Sequence, residues 1–400
     1  MSSCGVVVGN REWYKYLPRL FQIAFLYLVD TLARIAWRQS DSKGLLLVRL
    51  DAIGDFVIWL DSAKEFRRLY AGFEITLCAN SIWVDLARGL PHWDKVLSID
   101  VRRLTEDPIY RFRTLRGLRL SGFDVAIESA FSRVFLEGDA VIRASAASQR
   151  IGSVGDLSNI NPYLKAISDR WYTRLVMTSP APLMELERNA EFIRNLSALD
   201  FAANRSYLPQ LVDLPDRLKI SSPYFIVFPG ASRIGRRWPV AHFLEVTTQL
   251  HLVYGWLPVL CGGTSETLLC QKIADLSTVP MLNLGGATSL PELVELLRGA
   301  CLLITNETSA LHLAAAVSTP TVGIVGGGHF GRFMPYPDSI SGIKPIAANH
   351  EMSCYGCNWQ CSQIHDPAGP VPCIRDVSVK RVLELVSLQN KDSGIIQVAE

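Results

Sequence analysis

The sequence has no marked excess of either charge and no long apolar run. Its 400 residues carry 40 Lys and Arg against 38 Asp and Glu. This balance shows no electrostatic footprint for nucleic acid, and we expect no nucleic-acid partner. The apolar run from Leu20 to Val29 is interrupted by Gln22. It is too short to cross a bilayer, which takes about 20 residues. No secretory signal pattern is visible at the N-terminus.

The composition predicts a folded protein of two ordinary domains. Hydrophobic residues make up 49% of the chain and charged residues 20%, so large cores can form and disorder is excluded. A chain of this length suits two domains rather than one.

Residues 1–43 form a separate N-terminal segment in which aromatic and basic residues alternate. One interpretation is an amphipathic helix at a membrane interface, and the other is a helix packed on its own domain. The pattern does not decide between them. Its members are Trp13, Tyr14, Tyr16, Phe21, Phe25, Tyr27 and Trp37, with Arg11, Lys15, Arg19, Arg34 and Arg38.

Strand and helix patterns alternate twice along the chain. The first series occupies residues 44–215 and the second residues 216–345, with a proline-rich linker near residue 215 and a tail over residues 346–400. Alternation of this kind predicts an α/β protein with two doubly wound parallel sheets and a cleft between them as the ligand site. The stretch 131–185 lacks regular periodicity, and we expect loops there.

A polar segment, Asp51–Asp55, follows the apolar strand pattern of residues 44–50. It predicts a strand, a turn at Gly54 and then a helix, which places Asp55 at the carboxyl end of a parallel strand. Open α/β sheets bind ligands there, and helix N-termini attract anions. Asp55 is therefore a candidate general base, although an aspartate at this position also serves as an ordinary helix cap.

Polar residues and glycines follow three predicted strands of the second series. Small residues allow close backbone approach, an arginine can hold phosphate oxygens, and a glutamate after Gly-Gly can accept both hydroxyls of a ribose. Each residue has an ordinary structural explanation as a cap, a solvated charge or a core histidine. Together they predict a nucleotide-diphosphate site built from Ser232, Arg236 or Arg237, Glu266, Glu307, Thr308, Ser309 and His312.

No Asp-x-Asp pair occurs in the sequence. Sugar-nucleotide enzymes that use Mg²⁺ normally need such carboxylates. We therefore expect no catalytic cofactor, and we expect arginine and a helix N-terminus to neutralise the leaving phosphate.

Four of the nine cysteines are concentrated in the tail, at Cys354, Cys357, Cys361 and Cys373. A Cys-x2-Cys pair has the spacing of metal ligands, and four cysteines can complete a structural zinc site. The alternative is four reduced thiols in a loop.

These motifs, in this order, resemble glycosyltransferase family 9, the heptosyltransferases of lipopolysaccharide synthesis. The resemblance runs from about residue 44 to 385. Its markers are the segments 47–55, 229–232, 236–239, 284–290 and 305–315.

The resemblance implies a GT-B fold with two Rossmann-like domains, and an inverting, metal-independent transfer from ADP-heptose to a lipid-linked glycan. It places the protein in the cytoplasm, peripherally on the inner face of the cytoplasmic membrane. By position, Asp55 is the general base, Arg236 replaces a phosphate-binding lysine, and Glu266 is the ribose-binding acid. Glu307 and Ser309 replace the usual Asp and Gly, which bears on the identity of the donor sugar.

Two other functions fit the same fold. One is a nucleotide-sugar epimerase, which the segments around Trp238 and Asn306–His312 argue against. The other is a non-catalytic nucleotide-sugar-binding protein, which the retention of Asp55 argues against. Residues 100–185 should shape the acceptor pocket, but their sequence does not identify the acceptor.

Overall fold

The computed structural model describes residues 19–35 and 43–393. The remaining aromatic and basic residues of the N-terminal segment, namely Arg11, Trp13, Tyr14, Lys15, Tyr16, Trp37 and Arg38, lie outside these ranges. Within them, no helix combines the length and apolar character needed to cross a bilayer.

The first sheet has six parallel strands in the order β3-β2-β1-β4-β5-β6. Strand β1 is buried over its whole length, as expected for the central strand of a sheet covered on both faces. The strands are β1 (Gly44–Arg49), β2 (Glu74–Asn80), β3 (Lys95–Ile99), β4 (Val125–Glu128), β5 (Gln149–Ser153) and β6 (Arg174–Val176).

The second sheet repeats this topology, with six parallel strands in the order β12-β11-β10-β7-β8-β9. In each sheet the first and fourth strands of the series are neighbours, and the strand order reverses between them. This is the doubly wound order of dinucleotide-binding folds. The strands are β7 (Tyr224–Phe228), β8 (Leu257–Leu260), β9 (Leu282–Asn283), β10 (Leu302–Asn306), β11 (Thr321–Val325) and β12 (Ile346–Asn349).

Helices connect the strands, and several begin at clear sequence signals. Asp107 caps the helix that starts at Pro108, and Ser289 with Glu292 forms a capping box. The helices are α1 (Arg19–Ala33), α2 (Ile53–Leu69), α3 (Val84–Arg88), α4 (Val101–Glu106), α5 (Pro108–Ser121), α6 (Gly138–Ser145), α7 (Pro162–Ser168), α8 (Glu185–Ser197), α9 (Val240–Tyr254), α10 (Thr267–Leu276), α11 (Leu290–Gly299), α12 (Ser309–Ala316), α13 (Pro372–Arg375) and α14 (Val379–Ser393).

The chain divides into two compact units that are discontinuous in sequence. The first contains the chain up to Leu50, Tyr70–Val84 and Trp93–Met177, and so holds the first sheet. The second contains Asp51–Leu69, Asp85–His92 and the chain from Thr178 onward. Helix α2, which carries Asp55, therefore belongs to the second unit although it follows the first strand of the first sheet.

Helix α2 is held in the second unit by an apolar cluster. Ile58 packs with Leu311 and Ala315 of α12, and with Met184 and Leu186 around the start of α8. These contacts place the start of α2 beside the start of α12, within one unit.

Helix α1 packs against α5 and α6 of the first unit. Leu26 and Ala33 are fully buried, and the carboxylate of Asp30 forms a two-pronged ion pair with the buried Arg111 guanidinium, at 2.5 and 2.8 Å. For the described residues of this segment, the packed-helix interpretation is therefore confirmed. The outward face of α1 remains exposed.

The expectation of loops over residues 131–185 is wrong. This stretch contains α6, β5, α7 and β6, and it completes one edge of the first sheet. The strand pattern is weak in the sequence because β5 begins with the polar pair Gln149-Arg150 and β6 has only three residues. Neither strand has the apolar run by which a buried parallel strand is recognised.

Candidate active site

Two strand ends in the second unit are tied together by one buried amide. Asn306, at the end of β10, donates from its side chain to the carbonyl oxygens of Pro229 (2.7 Å) and Gly230 (3.1 Å) after β7. Its side-chain oxygen accepts from the backbone N–H of Trp238 at 3.0 Å. Strands β7 and β10 flank the point where the strand order reverses, which is where ligands bind in open α/β sheets.

The carboxylate of Glu266 lies directly beside the end of β7. It accepts a hydrogen bond from the backbone N–H of Gly263 at 2.8 Å. A β-carbon at Gly230 would lie 1.6 Å from its Oε1 atom, so only glycine leaves room for the carboxylate there. The structure thus brings the predicted ribose-binding acid to the predicted strand end.

The structure distinguishes the two candidate arginines. Arg236 donates to the backbone oxygen of Glu307 at 2.9 Å, and its guanidinium stacks 4.5 Å from the ring centre of Trp359. Burial lowers the pKa of Arg236, an effect that the nearby Glu307 partly offsets. Arg237 instead donates twice to the backbone oxygen of Ala231, at 3.0 and 3.1 Å, which holds the loop itself.

The Glu307 side chain is buried without a well-formed hydrogen bond to either carboxylate oxygen among the described residues. Burial raises its pKa to about 7, although the Arg236 charge and the Gly326 backbone N–H oppose the shift. A carboxyl in this environment is divided between its neutral and charged forms near neutral pH.

The first turn of α12 supplies the remaining predicted donor-site residues. The Thr308 hydroxyl lies 3.2 Å from the Thr305 hydroxyl, and Ser309 is the first helical residue and half-buried. His312 is buried with its Nδ1 atom 3.0 Å from the Tyr336 hydroxyl. Burial lowers its pKa to about 3, so the ring is neutral at pH 7.

Asp55 lies in the first turn of α2 and is half-buried. A β-carbon on the preceding Gly54 would be 3.1 Å from the His312 ring and 3.7 Å from the Ser309 Cα atom. Glycine therefore allows the N-terminal turns of α2 and α12 to approach closely. The candidate base and the anion-attracting end of α12 lie side by side.

Ser232 is exposed on the loop after β7. No hydrogen bond links its side chain to the other site residues in the part of the chain that the structure describes. Its predicted role in donor binding stays a prediction.

Two aromatic side chains that no sequence motif identified, Tyr355 and Trp359, lie beside this site. The glycine run Gly326–Gly328 follows β11, and Tyr355 and Trp359 pack directly on it, because β-carbons at Gly327 and Gly328 would lie 2.1 and 2.4 Å from their rings. Backbone bonds from Gly356 to Gly327 (2.8 Å) and from Asn358 to Gly328 (3.0 Å) fix the contact. Three consecutive glycines at a strand end were the available signal, since they imply a large group lying flat against the backbone.

The four tail cysteines surround this contact. All are free thiols, and the Sγ atom of Cys373 accepts from the backbone N–H of Gly327 at 3.4 Å. Burial raises the pKa of Cys373, and the neighbouring thiols of Cys354, Cys357 and Cys361 raise it further. Over residues 19–35 and 43–393, no three His, Cys, Asp or Glu side chains are already arranged as a metal site.

A second polar cluster follows β4 in the first unit. The Tyr172 hydroxyl lies 2.6 Å from both the Glu128 and Asp139 carboxylates, beside the buried guanidinium of Arg133. Burial raises the pKa of Tyr172, so its proton is retained at any physiological pH. The cluster joins the last residue of β4 to α6 and to the segment before β6, and no motif in the sequence pointed to it.

A family model, glycosyltransferase family 9 (heptosyltransferase), matches residues 111–360. Lipopolysaccharide heptosyltransferase 3 of Escherichia coli K12 is 30% identical over 138 residues, which are 34% of this chain and 40% of that protein. The chain thus aligns with less than half of this relative's length.

Solved structures extend the likeness to the whole fold. The E. coli ADP-heptose lipopolysaccharide heptosyltransferase II superposes with a TM-score of 0.62 at 19% identity, over 88% of this chain and 99% of that one. The iron-containing dodecameric glycosyltransferase TibC of enterotoxigenic E. coli has a TM-score of 0.51 at 16% identity, covering 89% and 78% of the two chains. The predicted α/β fold of the GT-B class, with two Rossmann-like sheets, is confirmed.

Proposed function

Since this chain belongs to glycosyltransferase family 9, the heptosyltransferase family, we propose that it transfers a sugar from a nucleotide-diphosphate donor to an envelope glycan. The favoured donor is ADP-heptose and the favoured acceptor is the lipopolysaccharide core or a related lipid-linked glycan. The transfer inverts the anomeric centre and uses no metal.

The observation that carries the proposal is the close approach of two helix starts within the second unit. The turn with Asp55 meets the start of α12 through Gly54, while Arg236 lies over the Glu307 backbone at the end of β10. A base, a helix N-terminus and a guanidinium are the parts that glycosyl transfer needs when no metal neutralises the diphosphate.

In the proposed step, the Asp55 carboxylate accepts the proton of an acceptor hydroxyl. The acceptor oxygen forms a bond to the anomeric carbon of the sugar on the face opposite the nucleotide. The bond from that carbon to the phosphate oxygen breaks, and its electron pair leaves with the nucleoside diphosphate. Arg236 and the α12 backbone N–H groups stabilise the charge that develops on the diphosphate, and Asp55 then releases its proton to water.

The donor side of the site supports a nucleotide with an intact ribose. Glu266 presents a carboxylate beside Gly230, where it can accept both ribose hydroxyls. ADP-heptose is favoured because the E. coli structural neighbour is described with that donor. Glu307 is a longer side chain than the aspartate usual in the family, and a panel of nucleotide sugars tests which sugar the site accepts.

A lipid-linked acceptor implies work at a membrane. We place the protein in the cytoplasm, in peripheral contact with the inner face of the cytoplasmic membrane. Exposed apolar residues on and just after α1 support this contact, namely Phe21, Leu28, Leu32 and Ile35.

The tail cysteines form a structural metal site in this proposal, with zinc as the first candidate. Their thiols influence one another around Cys373, and a bound ion would hold Tyr355 and Trp359 on the glycine run. TibC, which shares the fold, is described as iron-containing, so iron is the second candidate.

A donor panel with a matched pair of glycine variants tests the donor site. ADP-heptose should raise the melting temperature of the protein more than GDP- or UDP-sugars do, because a ligand that binds only the folded state stabilises it. Gly230→Ala should weaken that binding by roughly 10- to 100-fold, since the new methyl group displaces the Glu266 carboxylate. Gly117→Ala, on α5, should leave it unchanged because a β-carbon there meets no atom within 4 Å.

Three outcomes would contradict the proposal. Equal binding by wild type and Gly230→Ala would remove Glu266 from the donor site. A preference for UDP-sugars would reject ADP-heptose. Isomerisation of the donor without any acceptor would favour the epimerase alternative.

A further inference from the structure

A small basic pocket lies in the first unit, away from the carboxyl ends of the strands. Its volume is about 250 Å³, and it is lined mainly by four arginines and two aromatic residues. No carboxylate lines it among the described residues. The lining side chains are Arg34, Arg143, Arg150 and Arg170, with Tyr27 and Trp171.

Arg143 is the buried centre of this pocket, with 7% of its surface exposed. Its guanidinium carbon lies 3.9 Å from the ring centre of Tyr27 and 4.9 Å from that of Trp171. Nη2 donates to the Thr31 hydroxyl at 3.1 Å, but the buried Nη1 has no hydrogen-bond partner. A buried, unpaired guanidinium N–H is costly, and an acceptor supplied by a ligand would satisfy it.

The pocket lining gathers four positive charges and holds no carboxylate among the described residues. Burial lowers the pKa of Arg143 and the Arg34 charge adds to this effect, while Tyr27 and Asp30 partly offset it. Burial and the Arg34 charge also lower the pKa of Arg150. The nearest acids are engaged elsewhere. Asp30 pairs with Arg111, and Asp169 pairs with Arg133 and Lys165.

Two of the four arginines are exposed at the rim and two are anchored. Arg150 donates to the backbone oxygens of Trp171 and Ala147, both at 2.5 Å, which fixes its guanidinium. Arg34 and Arg170 are exposed and show no ion pair with a described residue. The arrangement is a pair of hydrogen-bonded arginines, one buried and one half-buried, with two exposed arginines at the rim, as suits an anionic group entering from solvent.

The pocket is separate from the proposed active site. Arg150 is the second residue of β5, and Trp171 precedes β6, so the pocket opens at the amino ends of these strands. Ligands of doubly wound sheets bind at the opposite, carboxyl ends.

Helix α1 joins this pocket to an apolar surface. Tyr27 of α1 and Arg34, which directly follows the helix, both line the pocket. The adjacent apolar stripe consists of Leu28 and Leu32 of α1 and of Ile35 just past its end, which are 56%, 48% and 75% exposed. A basic pocket beside an exposed apolar stripe matches an amphiphile with an anionic head.

We propose that this pocket binds the phosphate headgroup of an anionic membrane lipid, with the apolar stripe of α1 inserted among the acyl chains. Arg143 Nη1 donates to a phosphate oxygen, and Arg34 and Arg170 close over the headgroup. The proposal names the surface behind the membrane contact in the proposed function, and it does not depend on the transfer reaction.

Vesicle co-sedimentation of the full-length chain tests this assignment. Wild-type protein should bind vesicles of phosphatidylglycerol and phosphatidylcholine at 150 mM salt, and bind pure phosphatidylcholine vesicles at least tenfold more weakly. Arg34→Gln with Arg170→Gln should lose about tenfold in binding to the anionic vesicles, as should Leu32→Ser with Ile35→Ser. All four side chains are exposed, so these variants should fold normally.

The matched control is Arg102→Gln with Arg113→Gln, which removes two exposed charges elsewhere in the same unit and should retain binding. Equal binding by the control, the pocket variant and wild type would overturn the proposal. Vesicle binding that stays unchanged while inorganic phosphate occupies the pocket would also overturn the proposal, because that result defines a site for a free anion. Sugar transfer to a delipidated acceptor is measured in parallel and should be unaffected, which separates failure here from failure of the proposed function.

Discussion

Glu307 couples the stability of the second unit to pH. Burial raises its pKa to about 7 from the ordinary 4.5, so the folded protein holds a proton that the unfolded chain has already lost between these values. The contribution of Glu307 to the unfolding free energy is therefore fully present below about pH 4.5. It is lost as pH rises through about 7, a decline of roughly 3 kcal/mol.

The Glu307→Gln variant should lose this pH dependence, because the amide does not ionise. Urea unfolding at pH 5 and pH 8 measures it, and the difference in unfolding free energy between the two pH values should shrink in the variant. Glu292→Gln is the control, since hydrogen bonding to Ser289 lowers the pKa of Glu292 and keeps it ionised over this range. A variant whose pH slope equals that of wild type would show that Glu307 is not the group involved.

Sequence could identify the residues at strand ends but not those that reach them from a distant segment. Asp55, Glu266 and Arg236 lie in the segments that follow apolar runs. The glycines near them indicate that other groups approach the backbone closely there. Trp359 reaches the same site because the chain after β12 folds back over the glycine run, through backbone bonds that no local pattern encodes. Residue chemistry alone does not separate Arg236 from Arg237; the family resemblance favours Arg236, and the structure gives the two side chains different contacts.

At the scale of elements, α1 is attached to the first unit by one buried ion pair. Asp30→Ala leaves the Arg111 guanidinium charged and unpaired in the interior, and such losses typically cost 3–5 kcal/mol. We expect Asp30→Ala to lower the unfolding free energy of the first unit by about that amount, measured by denaturant unfolding.

Leu32→Ala on the same helix provides the comparison, and its effect should be within about 0.5 kcal/mol because the side chain is exposed. If both variants are equally stable, α1 is not docked through this pair.

The cysteine tail is an element whose order should depend on metal. If Cys354, Cys357, Cys361 and Cys373 bind an ion, purified protein should carry about one zinc or iron per chain, and Cys357→Ser should release it. Elemental analysis under reducing conditions measures this, with Cys301→Ser as a thiol control outside the cluster. Four titratable thiols and no zinc or iron would reject the metal site and leave the segment as an ordinary loop.

Elements with a strong periodic pattern were predictable, and weakly patterned ones were not. Strand β1 occurs where the apolar run of residues 44–50 predicts it. Strands β5, β6, β9 and β12 are short or partly exposed, and pairing with a neighbour rather than their own sequence defines them.

At the scale of the whole molecule, the chain contains the same six-stranded topology twice. Alternation of strands and helices predicted both sheets, because parallel connections of this kind leave few alternatives. It did not predict that α2 would join the second unit, since that depends on the packing of Ile58 against α12 rather than on chain order.

Helix α2 places Asp55 in the same unit as the predicted donor-site residues, and this gives the proposed mechanism its most direct test. The measurement is the rate of sugar transfer from ADP-heptose, in EDTA, by wild type and by Asp55→Asn, with ADP binding measured on both proteins. Asp85→Asn, which removes an exposed carboxylate paired with Arg88, is the control.

We expect wild type and Asp85→Asn to transfer sugar at full rate in EDTA. Asp55→Asn should bind ADP normally but turn over about 10²- to 10⁴-fold more slowly, because an amide cannot accept the acceptor's proton. Near-normal turnover by Asp55→Asn, or a strict requirement of wild type for a divalent metal, would contradict the mechanism.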